Sequence, residues 1–308
     1  MQIGALIVAA GMSSRMGQFK PMLNIGSISV AQRIIATLNQ SGVSKIVMVT
    51  GYNAAILERH LSGNGIIFLR NENYENTQMF DSVKIGLSYL RDKCDKVLFT
   101  PVDVPLFTAG TVKTILDSGA PLACPMCEGK QGHPIVIAND LIPEILDDCG
   151  EQGLKGAMDR CSVPLLRLDV DDPGTIHDAD TPEDFSALLD YHNSQLVRPV
   201  VSVSLNKEKA FFDSKIAMLL MLVDETKSVR AAGQRMQLSY SSCWNIIRTL
   251  ESQLSFPLIE RSQGGAGGST SVLTDRGRLL MERYNAYEKQ LKEQANALYE
   301  SYFGGLLE

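Results

Sequence analysis

The first two thirds of the chain alternate between two hydrophobic rhythms. Short apolar, β-branched runs at Ile3–Ala9, Lys45–Thr50, Ile66–Leu69, Lys96–Thr100 and Pro134–Ala138 read as strands. Between them, Val30–Asn39, Ala54–Leu61, Phe80–Leu90 and Ala109–Leu116 carry apolar residues at helical spacing. This alternation predicts an α/β unit, a mostly parallel sheet with helices on both faces. A last helix is expected over Thr181–Tyr191: Thr181 caps it, Pro182 suits its first position, and Glu183 and Asp184 favour the positive end of its dipole. The pattern lapses from Ser194 to Asn206, where Pro199, Ser202 and Ser204 mark a linker. Beyond it the period is helical. Asp213–Glu225, Ser228–Met236 and Ser239–Ser252 are followed by two short apolar runs, Pro257–Ile259 and Ser271–Leu273, around a glycine-rich tip. A long helix, Asp275–Tyr302, closes the chain. Its residues Leu280, Tyr284, Tyr287, Leu291, Ala295, Leu298 and Tyr302 step by threes and fours, a stripe suited to a partner helix and hence to a homodimer. The organisation expected is residues 1–193, a linker over 194–206, and a second domain over 207–308.

The 308 residues have an ordinary apolar content, which excludes a chain too polar to fold. No apolar run approaches the ~18 residues of a membrane helix, so no membrane partner is expected. Ile3–Ala10 lacks a preceding basic residue and reads as a buried strand rather than a leader. Six dispersed cysteines fit reduced thiols and a cytoplasmic protein. Cys124-Pro125-Met126-Cys127 has redox-motif spacing, but without a second pair it is a poor metal or redox signal. The net charge of -6 is unevenly spread. Residues 1–205 are acidic, whereas 227–278 hold seven basic residues against three acidic ones, which points to two parts with different partners.

The first strand runs into Ala9-Ala10-Gly11-Met12-Ser13-Ser14-Arg15-Met16-Gly17-Gln18-Phe19-Lys20. Small residues after a buried strand let the backbone close on a ligand with its N–H groups facing an anion, and Arg15 and Lys20 add positive charge. The spacing is neither that of the Walker loop nor that of the dinucleotide-binding glycine motif. Asp103 follows another strand, at the end where open α/β sheets hold ligands. Asp180 stands just before the helix at Thr181. Asp178 reads equally as a capping acid or as a supporting one.

The opening segment resembles the signature L-x-x-G-x-x-x-R-M-G-x-x-K of MobA-like nucleotidyltransferases, and the resemblance extends over about residues 1–192. It implies a Rossmann-like nucleotidyltransferase domain whose loop, with Ala9, Ala10, Gly11 and Ser13, wraps a nucleoside triphosphate. Arg15 and Lys20 would neutralise the outer phosphates and the leaving pyrophosphate. Asp103, in a D-x-P-L motif, and Asp180, before T-P-E-D, would hold Mg²⁺, with Arg15, Lys20 and Asp103 as the catalytic set. Asn71–Val83 is similar to the segment that meets base and ribose, Ser82 above all, although many relatives have glycine where this chain has Thr77 or Gln78. An Ala-Ala-Gly loop resembles that of cytidylyltransferases, so Ala10 favours CTP over GTP or ATP. Gly132-His133-Pro134 resembles the acceptor-side segment, where His133 is either an acceptor contact or a turn histidine bonded to backbone. Gly150–Gly156 resembles an acceptor motif but lacks its Asp and Arg. The implied reaction is transfer of CMP from CTP to molybdopterin with loss of pyrophosphate. Another phosphorylated acceptor stays open.

The last hundred residues have the helix–helix–turn–helix–wing order of an all-α-rich winged helix-turn-helix domain. Ser239, Tyr240, Ser241, Ser242, Asn245 and Arg248 on the third helix, with Arg261, are candidate DNA contacts. Arg276 and Arg278 complete a basic flank to the tip. Trp244 reads as a core anchor. The segment is similar to the amino-terminal domain of the molybdate-responsive regulator ModE and more distantly to LysR-type regulators. This implies DNA binding and a dimerisation role for the long helix. A module used only for protein contacts, and a transcription regulator whose first domain senses nucleotide or cofactor, are the alternatives.

Overall fold

Hydrophobic strands set the architecture of the first unit. The computed structural model describes residues 2–11, 19–177, 192–193, 199–207, 210–262, 270–304 and 306. The chain divides into two compact units, Met1–Val197 and Arg198–Glu308. In the first, β1 (Ile3–Ala9) is buried along nearly its whole length and lies at the centre of an eight-stranded sheet. After it come the small hairpin β2 (Asn24–Ile25) and β3 (Ile28–Ser29), then α1 (Val30–Gln40), β4 (Lys45–Thr50), α2 (Ala54–His60) and β5 (Ile67–Arg70). The remainder is α3 (Met79–Leu90), β6 (Lys96–Pro101), α4 (Ala109–Asp117), β7 (Leu122–Cys127), β8 (Lys130–Gln131), β9 (Ile135–Ala138), α5 (Ile142–Asp147), α6 (Gly153–Asp159) and β10 (Leu166–Asp169).

The sheet order is β10-β7-β9-β6-β1-β4-β5, with β8 paired to β7. β6, β1, β4 and β5 run parallel, and β9 is antiparallel to both β6 and β7. The chain leaves β1 toward β4 and β5, then crosses back to place β6 on the other side. That reversal opens a crevice at the carboxyl ends of β1 and β6. The core beneath it joins Ala5, Ile7 and Met48 to Ile34, Ile35 and Leu38 of α1. Burial of each of the larger side chains among these contributes roughly 1.5–3 kcal/mol against exposure. α1 begins with a capping box in which Ser29 and Gln32 satisfy each other's backbone N–H.

Arg33 is buried on α1. Its Nε donates to Ile25 O (2.8 Å), Nη2 donates to the same carbonyl, and Nη1 donates to Asn193 Oδ1 (2.7 Å) and faces His192 Nδ1 (3.3 Å). His192 Nε2 lies 3.2 Å from Thr37 Oγ1. A neutral imidazole protonated at Nε2 satisfies both contacts. The end of the first unit is thereby fixed to α1. The helix expected over Thr181–Tyr191 lies outside the described residues.

In the second unit a hairpin of β11 (Ser204–Asn206) and β12 (Ala210–Asp213) precedes α7 (Ser214–Thr226), α8 (Val229–Arg235) and α9 (Tyr240–Gln253). Thus the last three residues read as linker form a paired strand. The wing is β13 (Ile259–Ser262) against β14 (Thr270–Leu273), and α10 (Asp275–Phe303) follows. Asp213, Ser228 and Ser239 cap α7, α8 and α9 through their side-chain oxygens. α8 and α9 meet closely at Gly233, where a Cβ would come within 2.7 Å of Cys243 Sγ. Among the described residues no helix is long and apolar enough to cross a membrane.

Candidate functional site

A cleft of about 220 Å³ occupies the crevice at the sheet's carboxyl end. Val8, Ala9, Ala10 and Gly11 supply it from the end of β1, Lys20 from the returning loop, and Pro101, Val102 and Asp103 from the end of β6. Residues far apart in the sequence therefore meet: Ala9, Ala10, Gly11, Lys20, Ser82 and Asp103 line one cavity. Val102 N donates to Val8 O (3.0 Å), so the β6 ladder continues past its last strand residue and holds Asp103 beside β1. Ser13, Arg15 and Asp180 lie outside the described residues.

Asn71, Tyr74, Thr77, Gln78 and Met79 complete the lining. Asn71 follows β5 and is buried. Its Nδ2 donates to Thr77 Oγ1 (2.8 Å) and to Ser82 Oγ (3.0 Å), while its Oδ1 accepts from Asn73 N (3.1 Å). One amide thus fixes both ends of the segment that leads into α3. Sequence reasoning singled out Ser82 and not this organiser; its signal was an asparagine directly after a strand, a residue whose side chain competes for local backbone groups. Phe19, Tyr52 and Tyr74 stand edge to face, with centroids 5.9 and 6.4 Å apart. Gly51 is required beside them, because a Cβ there would meet Ala10 O and Tyr74 Cβ, both at 2.7 Å.

The acceptor-side candidates Gly132, His133 and Pro134 do not line the cleft. Gly132 packs on Thr175, and His133 N donates to Thr175 O (2.9 Å). The His133 ring stands edge-on to Phe99 at 5.6 Å, and its Nδ1 is enclosed without a partner among the described residues. Burial pushes this imidazole down to about 4, opposed by a backbone hydrogen bond with Phe99. Burial, reinforced by Arg33, pushes His192 down to about 4 as well. Both groups bind protons more readily when unfolded. Their contribution is full above ~6.5, the free imidazole value, and is lost as pH falls toward 4. The denaturant midpoint of the first unit is expected to drop over this window by the equivalent of about 3 kcal/mol per imidazole. An unchanged midpoint between neutral pH and that lower limit would contradict the buried placement of both rings.

The Gly150–Gly156 segment, which departs from its family motif, has its own anchor. Arg160 grips Asp148 through two bonds (2.7 and 2.8 Å), Lys84 Nζ donates to Asp148 O (2.6 Å), and Gly150 N donates to Asp148 Oδ1 (2.8 Å). The hydrogen bonds from Arg160 and Gly150 hold the Asp148 carboxyl at about 2. Cys124 and Cys127 sit buried in β7, and burial pushes the Cys124 thiol up to about 11. These are packed, unreactive thiols rather than a redox pair.

In the second unit Ser239, Tyr240, Ser241, Ser242, Asn245 and Arg248 are all exposed on α9 and its cap, and Arg261 is exposed on β13. Ser239 Oγ accepts from Ser242 N (3.1 Å) and bonds to the hydroxyls of Ser241 (3.0 Å) and Ser242 (2.7 Å). The core contacts of α9 come from Cys243, Ile247 and Leu250. Trp244, expected to be the anchor, is half-buried under the Arg261 guanidinium, which lies 3.5 Å from the ring centroid. Arg278, expected at the wing, is instead turned onto Asp224. Tyr284 of the α10 stripe belongs to its own unit: it donates to Val203 O (2.7 Å) and packs on Phe212 at 4.9 Å.

Comparison with known proteins agrees with this division. Residues 5–165 match the MobA-like NTP transferase domain family, and residues 217–278 match the lysR family of bacterial regulatory helix-turn-helix proteins. The chain is 30% identical over 190 residues to the molybdenum cofactor cytidylyltransferase of Escherichia coli (strain K12), covering 59% of this chain and 93% of that protein. It is also 30% identical over 100 residues to the molybdenum transport protein ModE of Azotobacter vinelandii, covering 32% of this chain and 37% of ModE. Only about a third of that regulator's length is therefore represented. A nucleotidyl transferase from Methanothermobacter thermautotroptrophicus superposes with a TM-score of 0.51 at 20% identity, over 62% of this chain and 98% of its own. At that identity the likeness is one of fold.

Proposed function

Because the chain belongs to the MobA-like NTP transferase family, we propose that it is a magnesium-dependent molybdenum cofactor cytidylyltransferase, moving CMP from CTP onto molybdopterin and releasing pyrophosphate. The observation that carries this reading is the convergence of Ala9, Ala10, Gly11, Lys20, Ser82 and Asp103 on one cleft. The acceptor is proposed from the Escherichia coli relative. The preference for CTP rests on Ala10, whose methyl group is buried at the head of the cleft where a glycine would leave more room.

The acceptor's terminal phosphate is already ionised at neutral pH, so no general base is needed. Its oxygen attacks the α-phosphorus; the bond to the bridging oxygen breaks, and pyrophosphate departs with the electron pair. Lys20, joined by Arg15, neutralises the outer phosphates as charge builds on the leaving group. Ala9, Ala10 and Gly11 let backbone N–H groups approach the phosphates closely and hold them in line. Among the described lining residues Asp103 supplies the carboxylate and Lys20 the positive charge, the rest being neutral, and a carboxylate oxygen suits a hard cation sharing its shell with phosphate oxygens. Asp103 and Asp180 would hold Mg²⁺, which when bound supplies charge neutralisation to the triphosphate. Gly132, His133 and Pro134, set back from the cleft, would shape the acceptor side from behind it.

The second unit is proposed to bind DNA through Ser239, Tyr240, Ser241, Ser242, Asn245, Arg248 and Arg261, and to pair as a homodimer through α10. Tyr287, Leu298, Tyr302 and Phe303 are exposed along that helix. The protein is proposed to work in the cytoplasm. A second reading, a transcription regulator of molybdenum metabolism whose first unit senses nucleotide or cofactor, is favoured by the exposed polar start of α9. Turnover of each nucleoside triphosphate against molybdopterin and other phosphorylated acceptors, followed as pyrophosphate release, separates the readings. CTP with molybdopterin is expected to lead. In the same matrix Ala10→Gly is expected to shift kcat/KM toward GTP by about tenfold, the scale of one small group in a pocket. An unchanged CTP-to-GTP ratio would remove Ala10 from the specificity argument.

A further inference from the structure

Six of the basic side chains of the second unit fall into two sets. Arg278 and Lys227 both end on the Asp224 carboxylate, and Arg235 lies 3.6 Å from Glu225. Their charge is compensated on the spot. Arg261, Arg230 and Arg276 lie instead on aromatic rings: over Trp244 at 3.5 Å, over Tyr240 at 5.4 Å and over Phe256 at 4.2 Å. All three arginines are exposed, and among the described residues none of them enters an ion pair.

The two kinds of partner have different consequences. A carboxylate cancels a guanidinium's charge and takes up its N–H groups. A ring holds the guanidinium by one face and leaves its donor edge and its whole charge available to an anion. Tyr240 and Trp244 are one turn apart on α9 and meet edge to face at 6.2 Å. They therefore connect Arg230 of α8 to Arg261 of β13 in an unbroken cation–ring–ring–cation row. The row borders Ser241, Ser242 and Asn245, all exposed. Trp244 Nε1 is enclosed and has no partner among the described residues. The indole is thus arranged as a platform, and its donor is not offered to a base.

Resting on the reading of this unit as a DNA-binding module, we propose that Tyr240 and Trp244 are positioning residues that hold Arg230 and Arg261 ready for the phosphates of a DNA duplex on either side of the α9 start. Arg276 on Phe256 is a third such contact, while Arg278 and Lys227 serve the fold. An arginine already ordered on a ring gives up less side-chain freedom on binding than one recruited from solvent.

The test uses the full chain and a mixed-sequence DNA duplex, with binding followed by anisotropy across a salt series. Arg261→Gln and Arg230→Gln are each expected to weaken binding about tenfold and to flatten the log K against log salt slope by about one. Arg278→Gln is expected to leave that slope unchanged. Trp244→Leu keeps every charge, so it is expected to weaken binding severalfold with the slope preserved, and Trp244→Phe, which restores a ring, to recover most of the loss. Loss of fold alone does not separate slope from affinity in this way, and the phenylalanine variant decides the matter if the leucine variant unfolds. Duplex binding with wild-type affinity and slope in Arg261→Gln and Arg230→Gln overturns the proposal while leaving the module a DNA binder. No duplex binding by the wild-type chain even at low salt overturns the DNA-binding reading itself.

Discussion

Asp103→Ala is expected to lower kcat for CMP transfer about 10³-fold while leaving CTP binding within severalfold of wild type. The reasoning starts from position. Asp103 stands just past β6 and is held against β1 by the bond from Val102 N to Val8 O. It contributes a carboxylate to the cleft that also holds Lys20 and the Ala9–Gly11 turn. Binding of the triphosphate is shared among backbone N–H groups and cations, which survive the substitution. Organisation of charge around the α-phosphorus is not shared in the same way, so the loss falls on the transition state and appears in kcat. A thousandfold loss is about 4 kcal/mol, the upper range for removing one preorganised electrostatic group. Asp103 is only half-buried, so the variant should unfold within about 0.5 kcal/mol of wild type. Asp103→Asn should behave like the alanine variant, because the charge is what is lost. Substantial pyrophosphate release by either variant would remove Asp103 from the catalytic set and, with it, the proposed ion site.

The cleft was legible because its chemistry is written in contiguous motifs. Ala9-Ala10-Gly11 and Lys20 lie on one loop, Asp103 follows a plain apolar strand, and strand ends in an open α/β sheet face ligands. Asn71 was less visible because its role is relational: it joins Thr77 and Ser82 through one amide, and no spacing rule marks that geometry. β7 was hidden by Cys124-Pro125-Met126-Cys127, whose spacing suggested redox chemistry and whose proline argues against an inner strand. β10 is an edge strand with mostly exposed residues, so it lacks the apolar run that betrays a strand. Ser204–Asn206 looked like linker because a two-stranded hairpin needs little apolar content. Trp244 reads as a core anchor from its size, and it is half-buried with Nε1 enclosed; sequence does not show that its ring also carries the Arg261 guanidinium. Arg278 shows the same limit from the other side. Sequence counts its charge, but only the fold shows that Asp224 cancels it.

Asp172→Ala is expected to destabilise the first unit by about 4 kcal/mol, read as a fall in the urea midpoint with an unchanged slope. Asp172 is buried, and its carboxylate accepts every hydrogen bond it makes. Oδ2 receives Thr108 N (2.9 Å), Thr108 Oγ1 (3.0 Å) and Thr111 Oγ1 (2.5 Å), and Oδ1 receives Gly174 N (3.1 Å). Thr108 is also the cap of α4, so the carboxylate orders the start of that helix from outside it. Alanine would leave the Thr108 and Gly174 N–H groups and the Thr111 hydroxyl without this acceptor, the Thr108 hydroxyl retaining only Thr111 Oγ1 at 3.3 Å, and hydrogen bonds to a charged acceptor contribute about 1.5–3 kcal/mol each before their mutual dependence is counted. Solvent cannot easily take the carboxylate's place. Gly174 lies so near Leu106 that a Cβ would fall 2.0 Å from the Leu106 carbonyl oxygen, and Gly132 is closed over Thr175 from the other side. Thr111→Val removes a single donor and should cost about 1 kcal/mol. That smaller loss serves as a calibration. If Asp172→Ala proves no more damaging than Thr111→Val, the carboxylate is not the common acceptor that joins the segment after β6 to the one after β10.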